Sequence, residues 1–116
     1  MIHPLEVIGE IRDPARELRE QIPDVVGSYA AMQRAVLTDG ALPARIKELI
    51  ALAIAVTREC DGCIAAHALG AARRHATEEE VAEAMGVAIL MNGGPATVWA
   101  PRALSAFREL ALEEGT

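Results

Sequence analysis

The sequence predicts an all-α fold in a single domain, and three observations carry that prediction. Apolar residues recur at helical spacing and almost nowhere alternate as a half-buried strand requires. Hydrophobic residues make up 52% of the chain, yet only Tyr29, Trp99 and Phe107 are aromatic. The core therefore has to be built from Ala, Leu, Ile, Val and Met, thin side chains that suit closely packed helices. Helix start and stop signals also fall at regular intervals along the chain. With 116 residues there is room for one compact domain, residues 1–116, and none for a second.

About six helices follow in order. Residues 1–12 are mixed, and His3-Pro4 favours an extended start. Asp13-Pro14 reads as an N-cap followed by proline at the first helical position, opening a short helix to about Gln21. Pro23 interrupts it, and Asp24 can cap a second helix from about Val25 to Leu37, ended by Thr38-Asp39-Gly40. Leu42-Pro43 opens a third, to about Thr57 or Arg58. Its stretch from Leu49 to Val56 is apolar on every face, so protein is expected on all sides of it. Asp61 is the expected cap of a fourth helix, to about His75, whose many Ala and Gly residues allow close approach of a neighbour. Thr77 and Glu80 form a capping box for the fifth, with Val81, Met85, Ala88 and Ile89 on one face and a stop at Asn92-Gly93-Gly94. The sixth runs from about Ala96 to Glu113, with a kink or restart expected at Pro101.

Composition excludes several function classes. Mean hydropathy is +0.20, high for a small soluble monomer, so a membrane or a partner subunit is expected to take up surface. The longest apolar run, Leu49 to Val56, falls well short of the about 20 residues a spanning helix needs. The N-terminal stretch carries Glu6, Glu10, Arg12 and Asp13 and lacks a signal-peptide pattern, so a cytoplasmic address is expected. A net charge of −6 argues against nucleic acid. Arg73 and Arg74, an adjacent basic pair, read as a solvated helix end.

Chemistry is concentrated between residues 48 and 67. Both cysteines lie in one Cys60-Asp61-Gly62-Cys63 unit. A structural disulfide is disfavoured in the cytosol, so the pair reads as redox-active or metal-binding. At a helix N-terminus, free N–H groups and the helix dipole stabilise a thiolate, and a second cysteine can resolve an oxidised first one. His67 follows Cys63 by four residues, on the same face, where an imidazole can exchange a proton with the thiol directly or through a water. Glu48 borders an apolar helix face and needs a partner. A surface pair with Arg45 and a role beside His67 are both open. On straight antiparallel helices Glu48 lies about 16 Å and His67 about 9 Å from a turn near Glu59, a mismatch of several ångströms. A zinc site of Cys60, Cys63 and His67, with or without Glu48, is a further reading, strained because its three main ligands would share two turns of one helix. Covalent haem is excluded, since Ile64 stands where a histidine must follow the second cysteine.

Glu48, twelve residues to Cys60-x-x-Cys63, then His67, resembles the core motif of the alkyl hydroperoxidase D-like proteins of the carboxymuconolactone decarboxylase superfamily. The resemblance covers roughly residues 20–110. It implies an all-α fold assembled as a homotrimer or homohexamer, and thiol-dependent reduction of hydroperoxides without a cofactor or metal. By that resemblance Cys63 attacks the peroxide and Cys60 resolves it. Glu48 and His67 form the proton relay, and an external dithiol reductant is the redox partner. One position departs from the pattern: Gly62 stands where the best-characterised members carry a histidine. The decarboxylase branch generally lacks the cysteine pair, so Cys60 and Cys63 argue against lactone decarboxylation. A thiol–disulfide exchange module or redox sensor would use the same residues.

Overall fold

The computed structural model describes residues 2–115, which form six α-helices in one globule, with no strand among them. They are α1 Pro4–Gln21, α2 Pro23–Val36, α3 Ala44–Thr57, α4 Asp61–Arg73, α5 Glu78–Asn92 and α6 Gly94–Gly115. The centre is α4, which packs against α1, α3 and α6, while α5 closes the far side against α3 and α6. Leu52, Val56, Ile64, Val81 and Leu110 are fully buried, with Phe107 as the aromatic of the core. Ala65, Ala68, Ala71, Ala96, Ala103 and Ala106 are buried between them, which lets the helices approach closely.

The N-terminus differs from expectation. His3 is extended and Pro4 begins α1, so the helix starts well before Asp13, and Pro14 lies inside it. Asp13 does not cap; it pairs with Arg16 at 3.2 Å. An internal proline is tolerated because residues 9–21 are exposed, so water can satisfy the carbonyl that Pro14 leaves without an N–H. In α2, Pro23 takes the first helical position and Ile22 the cap, displacing Asp24 into the first turn. This helix buries no residue and lies against α1. Its C-terminal end is tethered to α3 by Lys47, whose Nζ donates to the Val36 and Thr38 carbonyls at 2.9 and 2.8 Å.

Helix α3 is capped from upstream, Asp39 Oδ1 accepting from the Ala44 N–H at 2.7 Å. Its apolar stretch is not enclosed by this chain. Leu49, Leu52, Ala55 and Val56 are buried, but Ile50 and Ile54 are exposed on the face turned toward α2. The α3–α4 turn ends in a Schellman motif. Glu59 has a positive φ of 54°, its N–H donates to Val56 O, and the Cys60 N–H donates to Ala55 O. His75 ends α4 in the same way, with φ 61° and bonds from His75 and Ala76 back to Ala72 and Ala71. Helix α5 has the expected capping box, and its buried face is Val81, Met85 and Ala88. Helix α6 starts at Gly94 and continues through Pro101 as one element, without a restart.

Candidate active site

Cys60 and Cys63 are joined as a disulfide at the start of α4, with Cα atoms 5.2 Å apart. The cap of α4 is Cys60 itself, not Asp61: its Sγ accepts from the Cys63 backbone N–H at 3.2 Å. Negative charge developing on Cys60 Sγ therefore meets a backbone donor and the positive end of the helix dipole. Cys63 is exposed and Cys60 half-buried, so the second sulfur is the one open to solvent. Glu59 also faces solvent.

Gly62, between the cysteines, is covered by α1. A Cβ there would stand 3.0 Å from Ile11 Cδ1, so a larger side chain would require Ile11 to give way. Where the resembled motif has a histidine, the Ile11 side chain of α1 thus packs over Gly62.

On the next turns of α4, Glu48 reaches across from α3. Its Oε1 lies 2.7 Å from His67 Nδ1, and its Oε2 accepts from Arg74 Nη1 at 2.9 Å. The carboxylate is 3% exposed, the one charged side chain in the core among the described residues. Gly70 provides the room. A Cβ at Gly70 would lie 1.8 Å from Glu48 Oε2, an overlap no packing tolerates. Arg45 pairs with Glu80 instead, at 3.3 Å, which disposes of the surface pair with Glu48.

This arrangement closes the expected mismatch between the helices. Glu48 lies nine residues before the end of α3, and Gly70 nine residues into α4, so these two face each other across the pair. The carboxylate then spans one rung back to His67 and one forward to Arg74. Arg74 is therefore no solvated helix end, whereas Arg73 is exposed and pairs with Glu114. The signal for both missed residues was the spacing Cys63, His67, Gly70, Arg74, which marks one face of α4.

The structure thus forms two pairs, Cys60–Cys63 and Glu48–His67, one turn apart on α4. No hydrogen bond joins His67 to either sulfur in this oxidised form, in which neither sulfur carries a proton. With Nδ1 occupied, His67 Nε2 has no hydrogen-bond partner among the side chains and backbone of the described residues. The ring lines an apolar groove of about 410 Å³ between α2 and α3, with Tyr29, Met32, Val36, Ile50 and Ile54. Among the described residues, no three or more His, Cys, Asp or Glu side chains are grouped to hold a metal ion.

Comparison with known proteins agrees with this architecture. Residues 23–106 match the model of the carboxymuconolactone decarboxylase family. An uncharacterised protein of Cupriavidus necator is 39% identical over 103 residues, covering 89% of this chain and 91% of its own. An uncharacterised protein of the Paracoccus denitrificans cox locus is 41% identical over 83 residues, 72% of this chain and 75% of its own. A crystal structure of a family protein from Legionella pneumophila superposes with a TM-score of 0.89 at 35% identity, covering 93% of this chain and 96% of that one. Another from Thermotoga maritima, suggested to act in an antioxidative response, gives 0.76 at 27% identity, covering 91% and 93%.

Proposed function

Since the chain belongs to the carboxymuconolactone decarboxylase family, we propose that it is a thiol-dependent peroxidase reducing hydroperoxides through Cys60 and Cys63. The observation that supports this reading best is the cysteine pair at the helix mouth, one turn from an imidazole held by a buried carboxylate. The Thermotoga relative's suggested antioxidative role points the same way.

In the reduced protein, His67 takes the Cys63 proton, directly or through a water. The thiolate attacks the distal peroxide oxygen and the O–O bond breaks. Cys63 becomes a sulfenic acid, and the departing alkoxide recovers the proton as an alcohol. Cys60 then displaces water from that sulfenic acid, forming the Cys60–Cys63 disulfide. A dithiol carrier, as available in a reducing cytoplasm, returns two electrons. It attacks the exposed Cys63 sulfur, and Cys60 leaves as a thiolate steadied by the Cys63 N–H. The exposed apolar side chains of α2 and α3 support assembly as a homotrimer or homohexamer.

The test is peroxide consumption by the reduced protein supplied with a dithiol. Wild type turns over and Cys63→Ser does not; turnover by Cys63→Ser at the wild-type rate rejects the assignment. Exposure of Cys63 also suits thiol–disulfide exchange. That second reading wins if the reduced pair reacts with a protein disulfide far faster than with micromolar hydroperoxide.

A further inference from the structure

Glu48 has two partners, and the second is foreign to a simple Glu–His relay. A carboxylate on a side chain only 4% exposed is costly to hold as an anion unless both oxygens are engaged. Here Oε1 meets His67 Nδ1 and Oε2 meets the Arg74 guanidinium, while Gly70 leaves the space in which the carboxylate sits. Arg74 is anchored on its own helix as well, through the Gly70 carbonyl at 3.4 Å.

We propose that Arg74 is a positioning residue that fixes which way the proton lies in the Glu48–His67 hydrogen bond. With the Arg74 guanidinium donating to Oε2, the carboxylate presents Oε1 to His67 as an acceptor, so the imidazole proton is held on Nδ1. The lone pair is then left on Nε2, the edge with no partner, which is the edge able to take a proton. Without Arg74 the buried carboxylate has no cation beside it, and the neutral alternative is a carboxyl that takes up one proton from solvent. It then donates to Nδ1, the imidazole proton moves to Nε2, and the base is lost though every side chain keeps its place. On this view Glu48 is an orienting anion rather than the final store of the thiol proton.

The other charges near the carboxylate do not substitute for Arg74. Lys47 of α3 is spent on the Val36 and Thr38 carbonyls, and Arg73 of α4 on Glu114. Arg34 of α2 lines a second hollow, on the side of Glu48 that faces Gly70 and Arg74, and forms no ion pair among the described residues, so Arg34→Met is the control. The functional consequence rests on His67 serving the sulfur; the proton position does not, and it is read without peroxide.

The experiment is ¹⁵N NMR of the imidazoles through a pH series from neutral upward, with His67 assigned by the signal missing from His67→Gln. Alkylation of the reduced cysteines by iodoacetamide is measured in parallel. Wild type, Arg34→Met and Arg74→Lys should carry the proton on Nδ1. Arg74→Met should carry it on Nε2 and alkylate about tenfold or more slowly, in the range typical of lost outer partners. Arg74→Gln, which keeps a donor, provides a second neutral variant should Arg74→Met fail to fold, with the same expected shift. An unchanged His67 pattern or alkylation rate in the neutral variant overturns the proposal, as does equal loss in Arg74→Lys. Absence of peroxidase turnover with the proton shift intact would remove the peroxidase reading and leave this one standing.

Discussion

Glu48 and His67, nineteen residues apart on neighbouring helices, meet at 2.7 Å with the carboxylate almost wholly inside the protein. Such a contact does for an imidazole what a buried carboxylate does in other acid–base pairs: it fixes ring orientation and tautomer. Glu48→Gln preserves shape but not the acceptor-only character. We expect it to slow iodoacetamide alkylation of the reduced protein by about 10- to 100-fold at neutral pH. His67→Gln should slow it by at least as much, since a positioned acid–base group contributes about 10²-fold or more. Both should retain a wild-type helical circular dichroism spectrum.

Gly70 and Gly86 predict opposite signs for one substitution. Gly70→Ala drives a methyl group into Glu48 Oε2, and the carboxylate cannot swing aside without abandoning His67 and Arg74. Overpacking of this kind costs about 1–3 kcal/mol. Gly86→Ala, on the exposed face of α5 with nothing within 4 Å of the new Cβ, should stabilise by about 0.5–1 kcal/mol. Urea unfolding of the two variants reads both, and alkylation should slow in the first only.

The roles of the two sulfurs separate in mass spectra of peroxide-treated variants. Cys60→Ser should accumulate a sulfenic acid on Cys63 that dimedone traps, with at most one turnover. Cys63→Ser should leave Cys60 unmodified on the same timescale. Trapping on Cys60 instead would reverse the order.

Thr77 tests the fold apart from the site. Its side chain accepts from the Glu80 N–H at 3.1 Å, and the Glu80 carboxylate accepts from the Thr77 N–H at 2.9 Å. Thr77→Ala should lower the unfolding free energy by about 1 kcal/mol and leave alkylation kinetics untouched.

Much of the fold was legible because its signals are local. The capping box at Thr77, the stop at Gly93 and the start near Pro43 follow from a few neighbouring residues. Pro14 misled for the same reason: Asp-Pro is a sound helix opening, but nothing nearby shows that a helix already begun at Pro4 will run through it on an exposed face. At Pro101 the restart offered as one alternative does not occur, α6 continuing through it as one element. In the site, the spacing of Cys60, Cys63 and His67 along one helix was readable. The partner of Glu48 was named by the family resemblance and not by spacing, because it depends on how two helices register across a turn. That register hangs on Glu59 adopting a positive φ, a conformation its side chain does not advertise. Arg74 was hidden by Arg73: two like residues side by side suggest one role, yet one turns inward and the other out.

The ring closed by the two sulfurs contains only four residues, the cap and first turn of a helix that the rest of the domain already holds. By chain entropy so short a loop restrains the unfolded polypeptide by only about 2 kcal/mol, at the low end for such cross-links. Reduction of the pair therefore removes about that much from the stability of the domain, and the packing of the six helices supplies the rest. The scaffold's durability is set mainly by its alanine-lined interior, and the cysteine turn holds only a minor share of it.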